Sequence, residues 1–224
     1  QVGSSSILGR LLSCMVFLFV AAGLGLGGRR TRRCLKMSTV VSDIGSLRRR
    51  SDAFVVGSYN LLAPIYVRPI DLRLGTVQPF AAFEWCSDEV VDWSKRRLAL
   101  AERVRLLCEA CDVVCFQEVE FGNEDWLLSV LRLCGMEVVV KPRPGDLKRI
   151  ANRNERVLGK RLAVGNLIAS RRRAEWTRAI SSTSLCAGLG ENWVVVNVHL
   201  DAQSESKRVE TIRRAAEIAR VRHG

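Results

Sequence analysis

The spacing of apolar positions switches between a two-residue and a helical period along the chain, and each switch marks an element. Phe54-Val55-Val56-Gly57-Ser58-Tyr59 is a strand-like run, and residues 61–93, interrupted by Pro64, Pro69, Gly75 and Pro79, read as loop-rich. Ser94 is placed to cap a helix from Lys95 to about Ala110. Its stripe is Leu98, Ala101, Val104, Leu107 and Ala110, recurring at spacings of three. Asp112 leads into Val113-Val114-Cys115-Phe116, an uninterrupted apolar run closed by Gln117-Glu118, the pattern of a strand buried on both faces. A second helix is predicted over Glu124 to Leu133 with Gly135 as its stop, followed by a short strand at Val138-Val139-Val140. Lys141 to Lys160 reads as a charged loop. Leu162 to Ala169 reads as a strand, with Trp176 to Ile180 as its hairpin partner. Trp193 to Val198 is the clearest strand. An amphipathic helix follows, with Val209, Ile212, Ala216 and Ala219 on its apolar side.

Strands alternating with helices, without a short internal repeat, predict an α/β or α+β chain. The length of 224 residues allows one domain of ordinary to large size or two small ones. Hydrophobic residues at 48% and charged residues at 26% exclude disorder as the dominant state, and a fibrous repeat as well. The net charge of +12 invites a nucleic-acid partner, but residues 1–50 hold nine basic groups and one acid. Residues 51–224 are left with 26 basic and 22 acidic groups, so most of the excess belongs to a leader.

That leader divides the chain into residues 1–36, a linker at 37–53 and a domain at 54–224. Leu11 to Gly28 is 18 residues without a charge, followed by Arg29, Arg30, Arg32, Arg33 and Lys36. As a helix it would reach about 27 Å, just enough to cross a bilayer. Three readings stand side by side: a membrane anchor with the domain facing the cytosol, a cleaved organelle-targeting segment, and sequence upstream of a start at Met37. Under the first, residues 11–28 touch a membrane; otherwise the location is cytoplasmic or organellar. The eight cysteines form no paired zinc spacing. They read as small core hydrophobes in a reducing compartment, although Cys108-x2-Cys111 alone would also allow metal or redox chemistry.

Walker A, G-x-S-x-G and H-E-x-x-H are all absent. Three apolar strands instead end in polar residues able to do chemistry: Asn60, Glu118 and His199. Ligands of α/β sheets gather outside the carboxyl ends of strands, and a buried strand fixes its terminal side chain. Singly, each has a plainer explanation. Asn60 would be a turn residue, Glu118 a solvated strand end with Glu120 as a rival carboxylate, and His199 a hydrogen-bonded core histidine.

The sequences around these residues are similar to a known family. Ser58-Tyr59-Asn60-Leu61-Leu62-Ala63-Pro64 resembles the opening motif of the endonuclease/exonuclease/phosphatase superfamily. Trp93-x2-Arg96, followed by a helix and Asp112-Val113-Val114-Cys115-Phe116-Gln117-Glu118-Val119, resembles its second motif. Asn197-Val198-His199-Leu200-Asp201 resembles its third. The first two look closest to the deadenylase branch. The resemblance implies an α/β (α+β) two-sheet sandwich flanked by helices, the DNase I-like four-layer fold, truncated at the C-terminal side. It implies a Mg²⁺- or Mn²⁺-dependent phosphodiester hydrolase, a 3′-to-5′ exoribonuclease acting on poly(A)-like RNA. Glu118 would ligate the metal, Asn60 would orient the metal site and His199 would donate to a phosphate oxygen. The runner-up substrates are nucleotides, inositol phosphates or abasic DNA, and a non-catalytic binding module is the alternative of another class. The stretch Arg143 to Arg161, with Arg171, Arg172 and Arg173, is a candidate track for a nucleic-acid backbone, Arg161 being its candidate substrate contact; a solvated loop explains the charge equally simply. No protein partner is indicated. Neither the family's G-D-x-N motif nor its S-D-H motif occurs, so residues 1–224 alone are expected to be a catalytically inactive fragment.

Overall fold

The computed structural model describes residues 54–67, 70–71, 76–77, 91–190, 193–201 and 204–221. In chain order the elements are β1 (Val56–Asn60), α1 (Pro64–Val67), β2 (Ile70–Asp71), β3 (Thr76–Val77), α2 (Trp93–Ala110), β4 (Val113–Phe121) and α3 (Asp125–Leu133). They continue with β5 (Glu137–Val140), α4 (Pro144–Leu158), β6 (Ala163–Ser170), β7 (Trp176–Ser181), β8 (Ser184–Gly188), β9 (Val194–Val198) and α5 (Glu205–Val221). One sheet runs β1-β4-β6-β5, with β1 and β4 parallel and the other pairs antiparallel; a second, antiparallel sheet runs β7-β8-β9. β2 and β3 form a separate antiparallel pair.

Strand alternation assigns each side chain to a layer. Val113 and Cys115 of β4, with Ile168 of β6, turn toward the second sheet, where they meet Leu185, Ala187 and Val195. Val114 and Phe116 turn the other way, against Val104, Leu107 and Cys108 of α2 and Leu127 and Leu131 of α3. The outer face of the second sheet, with Cys186, Val194, Val196 and Val198, is covered by Ala215 and Ala219 of α5. The protein is therefore a mixed α/β chain with two packed sheets flanked by helices. Both faces of β4 and β9 are buried, as their unbroken apolar runs require.

Five expectations need correcting. α2 is capped by Asp92, whose carboxylate accepts from Lys95 N; Ser94 lies inside the helix. Its buried residues are Leu100, Val104, Leu107, Cys108 and Ala110; Val104, Leu107 and Ala110 of the expected stripe are therefore buried, while Leu98 is 70% exposed. Steps of three fall short of the 3.6-residue turn, so a run of them winds off the face it starts on. Residues 144–158 are a helix rather than a loop: Pro144 occupies the first turn, and Gly159, at φ 72°, ends it. β7 pairs with β8, not with β6, and so belongs to the second sheet. β8 went unseen because Ser-Leu-Cys-Ala-Gly lacks β-branched and aromatic residues. On α5, Val209 is exposed and Ala215 replaces it on the buried side.

No disulfide joins the described cysteines; Cys108, Cys111, Cys115 and Cys186 are buried and Cys134 is half-buried. Among the described residues, no helix is long and apolar enough to cross a membrane. Leu11 to Gly28, with the rest of residues 1–53, lies outside the described residues, as do Cys14, Cys34 and Cys86.

Candidate functional site

β1 and β4 run side by side with Asn60 opposite Gln117, so β1 ends beside the middle of β4, which continues to Phe121. At that point β4 carries a bulge. Phe116 pairs with Leu167 and Val119 with Gly165, which leaves Gln117 and Glu118 together opposite Asn166. Glu118 takes φ 56°, the left-handed region that a residue with a side chain seldom enters. The bulge changes the parity of the strand: Phe116 and Val119, three apart, both pack toward the helices. Glu118, which simple alternation would place with Phe116 in the helix-facing layer, falls at the bulge and is left 13% exposed.

The carboxylate is held from two directions. Asn60 Nδ2 donates to Glu118 Oε1 at 2.7 Å, and the Ala63 amide donates to Oε2 at 3.1 Å. Asn60 is fixed in turn, because its Oδ1 accepts from the Leu62 amide at 2.7 Å. The loop that makes this possible puts Leu62 at φ 54°, and Arg96 donates to the Leu62 carbonyl at 2.8 Å. His199 follows β9 in the second sheet; its Nε2 lies 3.7 Å from Glu118 Oε1, and the ring is one-third exposed. The three predicted residues thus come together from two sheets, although Glu118 lies at a bulge inside β4, not at the strand's end as expected.

Two neighbours respond to the site's charge. Burial lifts the Tyr66 phenol above its ordinary value, and the Glu118 carboxylate adds to the shift. Burial lowers the Arg96 guanidinium, with Glu118 and then Glu120 acting against it. Glu120, the rival carboxylate, is buried and committed elsewhere: one oxygen accepts from the Ile65 amide at 3.0 Å and the other from Asn123 Nδ2 at 2.5 Å. Its role is to anchor the first turn of α1.

Behind the site lies a buried polar bridge between the sheets. Asn197 Oδ1 accepts from Gln117 Nε2 at 2.8 Å and from Asn166 Nδ2 at 3.1 Å. Asn197 Nδ2 donates to the Phe116 and Leu167 carbonyls at 2.9 and 3.0 Å. Gln117 precedes Glu118 and Asn197 stands two before His199, so the bridge ties together the strands that carry the two site residues. The sequence reading missed Gln117, Asn166 and Asn197 in this role. The available signal was a carboxamide at an inward position of an otherwise apolar strand, which demands a buried partner.

Arg161 is exposed, 3.9 Å from Glu155, and no contact joins it to Asn60, Glu118 or His199 among the described residues. Arg143 and Arg149 both pair with the buried Asp146 at the start of α4, and Arg171 is engaged with backbone carbonyls. Part of the basic stretch is therefore occupied within the fold. Among the described residues, no group of three or more His, Cys, Asp or Glu side chains is arranged to hold a metal ion.

No family model, curated protein or solved structure matches this chain.

Proposed function

We propose that the chain carries part of the active site of a Mg²⁺-dependent phosphodiester hydrolase of the endonuclease/exonuclease/phosphatase superfamily, and that its sandwich is of the DNase I-like kind. The observation that carries this reading is the meeting of Asn60, Glu118 and His199 at one end of two packed sheets. Asn60 keeps a turn contact to the Leu62 amide, but its Nδ2 is directed to Glu118, and His199 approaches the same carboxylate from the other sheet.

The site suits a hard cation that keeps most of its waters. Mg²⁺ is commonly held by one or two carboxylates together with substrate phosphate, and Glu118 offers one oriented carboxylate whose oxygens each retain a lone pair. When bound, such an ion neutralises phosphate charge and lowers the pKa of a coordinated water. The protein's own part is positioning. Asn60 and the Ala63 amide fix the carboxylate, and His199, on the opposite sheet, offers a donor to a phosphate oxygen as charge develops there. No residue of 1–224 is assigned to orient the attacking water.

The substrate we favour is poly(A)-like RNA cleaved from its 3′ end, on the strength of the motif resemblance. Described cysteines that form no disulfide support a reducing, cytoplasmic or cytosol-facing location. The test uses the protein expressed from its whole reading frame, offered oligo(A), mixed RNA, abasic DNA and inositol phosphates with Mg²⁺. Release of 5′-AMP from oligo(A), abolished by Glu118→Gln, supports the proposal. Turnover of another phosphoester moves the substrate but keeps the enzyme class, and turnover of none overturns the reading.

A further inference from the structure

Two thiols that the site does not use meet where α2 and α3 end. Cys108 is in the last turn of α2 and fully buried; Cys134 ends α3 and is half-buried. The two thiols lie close enough that each is among the causes that shift the other's acidity. Cys134 Sγ also donates to the Arg105 carbonyl at 3.9 Å, three residues before Cys108 on the same helix. Arg171 closes the seam from the first sheet, its guanidinium donating to the Cys108 carbonyl at 2.9 Å and to the Cys134 carbonyl. One sulfur is therefore accessible, its neighbour is sealed behind it, and the backbone of both is clamped by one side chain.

We propose that Cys108 and Cys134 are a modification site: a reversible disulfide formed by peroxide, with Cys134 attacking and Cys108 resolving. In the first step the Cys134 thiolate attacks one peroxide oxygen and the O–O bond breaks. The departing hydroxide leaves as water with the proton the thiol gave up, and Cys134 becomes a sulfenic acid. In the second step the Cys108 sulfur attacks the Cys134 sulfur; the S–S bond forms, the S–O bond breaks, and a second water leaves with the Cys108 proton. Two thiols are oxidised by two electrons and one peroxide is reduced to two waters.

Burial holds Cys108 up at about 12 and raises Cys134 as well, while the Arg171 charge pulls both down and Arg105 lowers Cys134 further. The reaction is accordingly slow at neutral pH and quickens as pH rises, because only the thiolate attacks. The bond would tie α2 to α3 across the outer face of the first sheet, closing a loop that contains β4 and Glu118.

The test treats the full chain with hydrogen peroxide, alkylates the remaining thiols and maps tryptic fragments without reduction. Fragment Leu133–Lys148 holds Cys134 alone, and Leu106–Arg132 holds Cys108, Cys111 and Cys115. The expected result is a cross-link between these fragments that forms faster at higher pH and is reversed by dithiothreitol. It persists in Cys111→Ser and is lost in Cys108→Ser. Cys134→Ser, at the half-buried position, disturbs the core least; there fragment Leu106–Arg132 keeps all its thiols. Absence of the cross-link in natively folded wild-type protein overturns the proposal. So does its survival in Cys108→Ser, or a disulfide within Leu106–Arg132 in Cys134→Ser.

Discussion

Asn60 Nδ2 and Glu118 Oε1 are 2.7 Å apart, joining the end of β1 to the bulge inside the parallel strand β4, 58 positions on in the chain. The contact requires two left-handed residues: Glu118 at the bulge, and Leu62 in the loop that presents its amide to Asn60. Such conformations are costly for residues with side chains, and they persist where surrounding hydrogen bonds over-determine them. Here the Ala63 amide and Arg96 supply those bonds. The geometry of the carboxylate is thus built into the β1–α1 loop as much as into β4.

Asn60→Ala removes a donor to Glu118 and the acceptor of the Leu62 amide at once. The expected loss is about 1–3 kcal/mol in urea unfolding, the usual cost of orphaning part-buried polar groups. In the protein from its whole reading frame, Mg²⁺-dependent turnover should fall by at least about tenfold, the scale on which partners of a metal-bound carboxylate act. Stability and turnover both at wild-type level would show that the bond is incidental.

The inter-sheet bridge makes a separate demand. Asn197→Leu strands the Phe116 and Leu167 carbonyls and leaves Gln117 and Asn166 without their shared acceptor. Chemical denaturation should show a loss of roughly 3–5 kcal/mol, several buried groups being unsatisfied together. A loss under about 1 kcal/mol, the net worth of a single ordinary hydrogen bond, would mean that the bridge contributes little.

The corrected face of α2 is tested by two alanine substitutions six residues apart. Val104→Ala, at a fully buried position, should cost about 1.5–3 kcal/mol through lost burial and an unfilled cavity. Leu98→Ala, at a site 70% exposed, should stay within about 0.5 kcal/mol. In thermal melts, a loss for Leu98→Ala as large as that for Val104→Ala would return Leu98 to the buried stripe read from the sequence.

How far the sequence carried is visible in these particulars. The strands around Asn60, Glu118 and His199 were legible because runs such as Val113–Phe116 and Val194–Val196 are too apolar for anything but a buried strand. Returning polarity marks the ends of β1 and β9, but β4 runs on through Gln117 and Glu118 to Phe121. The bulge at Glu118 was not, because no Gly or Pro marks it; it follows from pairing with Asn166, a long-range partner. α4 was hidden by its own start signal, since Lys-Pro-Arg-Pro-Gly reads as loop until Pro144 is placed in a first turn. The sheet containing β7 was misassigned because hairpin proximity in sequence favours β6, whereas the true partner β8 has weak strand propensity.

Alkali should unfold the protein through its buried thiols. Burial pushes Cys186 from the ordinary 9.0 up to about 11, so the folded state keeps a proton that the unfolded chain releases. The stabilisation is complete below pH 9 and is lost as pH rises through about 11. Two pKa units correspond to about 2–3 kcal/mol. Urea midpoints measured from pH 8 upward should fall across this window, and Cys186→Ala should flatten the fall. Identical profiles for the two proteins would contradict the assignment.

The central claim, that Glu118 is a divalent-metal ligand at the meeting of the sheets, is tested most directly by Mn²⁺ titration of the full chain followed by backbone NMR. Substoichiometric Mn²⁺ should broaden the amides of Leu62, Ala63, Val119 and Leu200 first, and excess Mg²⁺ should restore them. Glu118→Gln should abolish the effect, whereas Glu155→Gln, at an exposed ion pair, should leave it intact. Broadening that is unchanged in Glu118→Gln, or that never reaches these amides, would contradict the account.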